Sequence, residues 1–121
     1  MNIYRSAGAN SLDFIHSLTS ILDLGRYVMI VGDFNICALT ECNHMILKHL
    51  SLLGFRQEVM QPTQLEGRVI DHVYSYAPDG KLVSPVKVHH KSPYFTDHDL
   101  LFIEQARNFY YHSLQYLFVL G

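Results

Sequence analysis

The sequence predicts a mixed α/β sandwich, and three observations carry that prediction. An amphipathic helical pattern runs straight into an apolar strand without polar alternation, Tyr27 to Val31. A second helical stretch follows, and beyond it the chain turns to strand-like runs separated by turns and loops. The resulting order αβαβββ suits layered helices and sheet better than a regular doubly wound fold. With 121 residues, 49% hydrophobic and 17% charged, the chain is the length of one domain and rich enough in apolar side chains to bury a core.

Asn2 to Arg5 reads as the short tail of a strand, and "SAGANS" after it as a turn. From Ser11, apolar Leu12, Ile15, Leu18, Ile21 and Leu22 recur at helical spacing, with Asn10 or Ser11 as cap, Asp13 in the first turn and Gly25 as stop. The unbroken apolar strand that follows, Tyr27 to Val31, fits a central position covered on both faces. A second helix is expected from a Thr40 cap to Leu53, ended by Gly54. Next come "FRQEV" as a short strand, the loop "MQPTQLEG", the strand "RVIDHVYSY" and the turn "APDG". "KLVSPVKV" is a strand that Pro85 assigns to an edge or a bulge. "HHKSPYFTDHD" reads as a polar loop and "LLFIEQA" as a final strand. Residues 1–106 thus form the expected domain, and the stretch 107–121, "RNFYYHSLQYLFVLG", is either a helix packed on the sheet or sequence foreign to the domain.

Composition excludes several classes of function. A net charge of −2 gives no basic field that would hold a polyanion unaided, so any phosphate chemistry must come from a local site. Two cysteines, Cys37 and Cys42, are too few for a disulfide framework, and with His44 they match no closed zinc set. The first residues lack a signal-peptide pattern, and the apolar run Tyr116 to Leu120 is far short of a membrane span. An intracellular protein, nuclear or cytoplasmic and without a membrane partner, is the expectation. There is no internal repeat or low-complexity segment.

Polar residues suited to chemistry fall at three stations, each at or beside the end of a strand: Asp33 with Asn35, Asp71 with His72, and Asp97-His98-Asp99. In layered α/β folds such ends converge on one edge of the sheet, where pockets form. Carboxylates gathered there repel unless a cation or proton intervenes. An oxygen-rich cluster of this kind suits Mg²⁺ or Mn²⁺, and an adjacent imidazole can donate to a phosphate oxygen.

The three motifs in order, "IVGDFN", "RVIDHVY" and "YFTDHDLL", resemble the second half of the endonuclease/exonuclease/phosphatase superfamily, most of all the versions carried by mobile elements. The resemblance spans about Asn2 to Glu104. It implies a partial four-layer α/β sandwich, a mixed β-sheet with flanking helices, and Mg²⁺-dependent or Mn²⁺-dependent hydrolysis of a phosphodiester, with nucleic acid as substrate. By the same resemblance Asp33 activates the attacking water, and Asn35 holds that water or a phosphate oxygen. His98 contacts the scissile phosphate, Asp71 orients His98, and Asp97 takes the metal side. "IYRS" is similar to the strand that ends in a phosphate-touching tyrosine, which gives Tyr4 that role. Thr96 stands where serine is usual and keeps the hydroxyl.

Members of that superfamily begin with another half-sandwich that carries an asparagine and the principal metal-binding glutamate. The expectation here is therefore a C-terminal half with poor metal affinity, open to self-association through an uncovered sheet. Two other readings stand beside the nuclease: an inactive mobile-element remnant acting at most as a binding or structural module, and a phosphatase on a small phosphoester. Each motif also has a purely structural reading. Asp33 can cap a strand-to-loop turn shaped by Gly32, Asp71-His72 can be the polar face of an alternating strand, and Asp97-His98-Asp99 can be a solvated turn.

Overall fold

The strand that carries Asp33 lies at the centre of a four-stranded sheet. The computed structural model describes residues 1–59, 67–80, 86–91, 100–107 and 112–119. The chain opens with β1 (Asn2–Tyr4), followed by helix α1 (Ser11–Ile21), β2 (Val28–Asp33) and helix α2 (Met45–Leu53). Strands β3 (Arg56–Gln57), β4 (Asp71–Tyr76), β5 (Val86–Lys91), β6 (Leu100–Arg107) and β7 (His112–Val119) complete it. Two sheets result, one ordered β1-β2-β4-β3 and one ordered β5-β6-β7. The chain is a mixed α/β fold: β1 and β2 are parallel, with α1 as the crossover that parallel pairing requires, and the other neighbours are antiparallel. Among the described residues no helix is long and apolar enough to cross a membrane.

Helix α1 starts as its sequence requires. The Asn10 side chain accepts a hydrogen bond from the Asp13 N–H at 3.1 Å, and Ile15 and Leu18 face the core. It ends at Ile21 with Leu22 as cap, earlier than Gly25, and leaves Leu12 and Ile21 exposed. Helix α2 begins four residues later than the Thr40 cap predicts, because 37–41 form a turn of their own. In that turn the Glu41 N–H donates to Cys37 O, and Cys37 N–H donates back to Glu41 Oε1. The cap is His44, whose Nδ1 accepts from Ile46 N–H at 3.1 Å, and Gly54 closes the helix at φ 101° in the left-handed region.

Alternation along β2 and β4 decides what each sheet face meets. Ile30 and Tyr74 join Ile15, Leu18, Ile46, Leu50 and Phe34 in a cluster under the two helices. On the opposite face Val31 and Val73 join Val59, Val69, Leu101 and Ile103, so that cluster holds residues of both sheets. Strand β2 is buried between neighbours, as its lack of polar alternation predicts, and it continues two residues past Val31 to include Gly32 and Asp33.

Three segments depart from expectation. "FRQEV" yields only the two-residue β3. His89, His90 and Lys91 belong to β5 rather than to a polar loop, since they pair with Phe102, Leu101 and Leu100. Beyond Arg107, His112–Val119 is a strand and not a helix packed on the sheet: it pairs along the whole of β6, from Arg107↔His112 to Leu100↔Val119. The segment "HSLQYLFV" holds one β-branched residue and does not alternate, so its strand form comes from its pairing with β6.

Candidate functional site

The register of the first sheet brings three of the predicted residues into one row. Tyr4 pairs with Asp33 across β1 and β2, and Asp33 pairs with Asp71 across β2 and β4. Residues directly opposite share a face, so all three side chains stand on the face that also carries Val31 and Val73. They differ in exposure. Tyr4 is 70% exposed, Asp33 is half-buried and Asp71 is fully buried. Carboxylates opposite one another in a sheet repel, which makes this end of the row a place where a cation or a donor would be stabilising.

Gly32 makes the row possible. A Cβ there would overlap the Ile3 carbonyl, whose carbon would lie 2.7 Å away, so only glycine lets β1 approach this end of β2. The chain then turns sharply through residues 33–38, and most of its main-chain groups can be traced to partners. Asp33 O accepts from Arg5 N–H, Phe34 N–H donates to Ile70 O, and Ala38 N–H donates to Val69 O, each at 2.9 Å. Asn35 N–H donates to Asp33 Oδ1 at 2.9 Å, a turn in which the aspartate caps its own backbone. Asn35 adopts φ 51°, and its Nδ2 donates to Arg5 O. Asp33 Oδ2 takes no hydrogen bond among the described residues, which leaves one carboxylate oxygen for a proton or a cation.

His72 anchors the turn from the helix side. It pairs with Gly32, points away from Asp71, and is fully buried. Its Nε2 lies 2.8 Å from Ile36 O and 3.0 Å from Val69 O, while Nδ1 lies 2.9 Å from Tyr74 Oη. Two carbonyls at Nε2 require a proton there, so Nδ1 is the acceptor of the Tyr74 hydroxyl. The ring stacks on Phe34 at 4.8 Å with 13° between planes. Burial holds the imidazole down to about 4, against the smaller opposing effect of the two carbonyls. Burial likewise pushes the Tyr74 phenol up. Cys37 is buried, which acts to raise its thiol, but bonds from the Thr40 hydroxyl and the N–H groups of Val69, Thr40 and Leu39 outweigh that and bring it down to about 7. Its sulfur accepts from Val69 N–H at 3.4 Å, and Cys42 is exposed.

Of the predicted site residues, Tyr4, Asp33, Asn35 and Asp71 are thus gathered at one sheet end, and Asp97 and His98 lie outside the described residues, as do Thr96 and Asp99. The reading of Asp71-His72 as a polar strand face is overturned, since both are buried and they point to opposite sides of the sheet. Arg5 is the residue that sequence reasoning missed. It is buried beside the turn, and the only hint was a charge placed immediately after a short apolar strand.

Among the described residues no three His, Cys, Asp or Glu side chains converge to hold a metal ion. Mg²⁺, however, is commonly bound through one or two carboxylates while it keeps several waters. Asp33 and Asp71 are donors of that type. A groove of about 680 Å³ that includes Leu12, His16, Met45 and Leu52 on α1 and α2, and a cavity of about 240 Å³ beside Phe55, Gln57 and Tyr74, both lie apart from these residues. No family model, no curated protein and no solved structure matches the chain.

Proposed function

We propose that this chain is the C-terminal part of a four-layer α/β sandwich and hydrolyses phosphodiesters with Mg²⁺ or Mn²⁺, nucleic acid being the substrate. The observation that carries the reading is the row Tyr4-Asp33-Asp71, with Asn35 beside it in a turn held from several sides. Those are the residues to which the motif resemblance assigns chemistry.

The open oxygen of Asp33 takes the proton as water attacks phosphorus in line with the ester oxygen that leaves. Asn35, with its second amide proton and its carbonyl oxygen, orients that water or a phosphate oxygen. Tyr4, exposed at the rim, donates to a non-bridging oxygen, and His98, directed by Asp71, donates to another. Asp97, by the same resemblance, would hold the cation. When bound, it acidifies water and offsets the charge that grows on phosphate. Positioning and charge stabilisation do most of the work.

The test is nicking of supercoiled plasmid by the purified chain with Mg²⁺ or Mn²⁺, against EDTA, Asp33→Asn and His98→Ala. Removal of a general base lowers rates by about 10²- to 10⁴-fold, so cleavage should fall to background in Asp33→Asn. Cleavage indifferent to EDTA and to both substitutions would reject the mechanism. A folded chain without cleavage would favour the inactive module, which is supported by Asp33 already serving as a turn cap.

A further inference from the structure

Arg5 follows the most exposed residue of the row yet is itself only 6% exposed. Its main chain holds both ends of the Asp33-Asn35 turn: its N–H donates to Asp33 O at 2.9 Å, and its carbonyl accepts from Asn35 Nδ2. Its side chain holds the middle, with Nη1 donating to Phe34 O at 3.2 Å and Nη2 to Ala9 O at 2.9 Å. One residue therefore engages three consecutive residues of the turn that carries the proposed base.

The chemistry of the contact is unusual for a structural arginine. Both guanidinium partners are neutral carbonyls, and among the described residues Arg5 forms no ion pair and its Nε has no partner. Burying a cation without a counter-charge is expensive, and an apolar side chain of similar volume would fill the space at lower cost. Packing alone does not account for an arginine there. Meanwhile Asn35 sits at φ 51°, in the left-handed region that asparagine tolerates better than most residues, and its side chain is tied to Arg5 O there.

We propose that Arg5 is a positioning residue for hydrolysis, fixing the Asp33-Asn35 turn so that the open oxygen of Asp33 and the amide of Asn35 face the same water. This rests on the hydrolytic reading above. Arg5→Lys is the informative variant, because an ammonium keeps the charge but cannot span two carbonyls as a planar fork does. Its kcat and KM on supercoiled plasmid should be measured together with hydrogen exchange of the Asn35 side-chain amide, followed by NMR, and with the melting temperature. A misplaced group can cost about a hundredfold, so kcat should fall by about that factor with KM little changed, and the Asn35 amide protons should lose protection. Wild-type kcat, or protection retained in Arg5→Lys, would overturn the proposal. If the wild-type chain cleaves nothing, the hydrolytic reading fails, and the Asn35 exchange still decides whether Arg5 holds the turn. Should Arg5→Lys fail to fold, Arg5→Gln is to be read in the same way; failure of both would assign Arg5 to the fold alone and overturn its role in positioning.

Discussion

His72 should make the protein acid-labile in a window that can be calculated. In the native chain the ring is buried, its Nδ1 is committed to the Tyr74 hydroxyl, and it titrates at about 4; an unfolded chain takes up the same proton near 6.5. Because the native value is the lower one, the stabilisation is complete above 6.5, is lost progressively as pH falls towards 4, and changes no further below. Each pH unit in that window costs about 1.4 kcal/mol, so the whole span removes about 3 kcal/mol, a large part of the 5–15 kcal/mol that typically holds a domain together. His72→Gln has no proton to bind here, and its amide can still donate towards Ile36 O and Val69 O. Urea titrations of both proteins at several pH values between 7 and 4 isolate the effect, since the carboxylates contribute equally to the two. The wild-type stability should fall more steeply than that of His72→Gln by about 3 kcal/mol over the window. Parallel curves would refute the reasoning, and with it the assignment of a neutral, proton-accepting Nδ1.

Three further outcomes follow from packing. Gly32→Ala should cost about 3 kcal/mol or more, the top of the range for overpacking, because the Ile3 carbonyl that a Cβ would strike is main chain and cannot rotate aside; chemical denaturation measures it. Leu50→Ala removes a fully buried side chain between α2 and the sheet and should cost about 2–5 kcal/mol in the same assay. Under native conditions a thiol reagent should modify Cys42 rapidly and Cys37 only after unfolding, since one is exposed and the other buried; fast labelling of both, seen by mass spectrometry, would contradict that burial.

How much of this was legible in the sequence depends on whether the signal was local. The α1 start was readable because Asn10 caps within its own turn, and β2 because a fully covered strand shows as an unbroken apolar run. The start of α2 was not, because Thr40 is as good a cap by composition as His44, and the choice was made by the turn that Glu41 closes onto Cys37. The strand β7 was missed for a similar reason: an aromatic stretch gains strand character only when a partner lies beside it, and β6 is that partner. The row Tyr4-Asp33-Asp71 lay between these cases. Each member could be named from its motif, but that they share one face follows from the pairing register of three strands, which no single motif contains. Arg5 escaped functional notice, and the burial of His72 was not foreseen, because a burial that depends on distant carbonyls leaves no pattern in neighbouring letters.

Asp33 is where the structural and the chemical readings of the same residue separate, and they separate by oxygen. Oδ1 is used in the turn, accepting the Asn35 N–H, while Oδ2 takes no hydrogen bond among the described residues and is the oxygen that the proposed mechanism uses. An asparagine at this position can keep an oxygen acceptor for that N–H and cannot take a proton from water; an alanine loses both. Asp33→Asn should therefore melt close to the wild type and lose cleavage, whereas Asp33→Ala should lose cleavage and also about 1 kcal/mol of stability, the usual cost of a missing neutral hydrogen bond. If the two variants were equally destabilised, an amide oxygen would not be replacing the carboxylate as acceptor of the Asn35 N–H, and the acid at the end of β2 would be explained by the turn without catalysis. If Asp33→Asn is stable and silent, the turn and the chemistry are two uses of one side chain, and the glycine, acid and amide after the apolar strand are arranged to serve both.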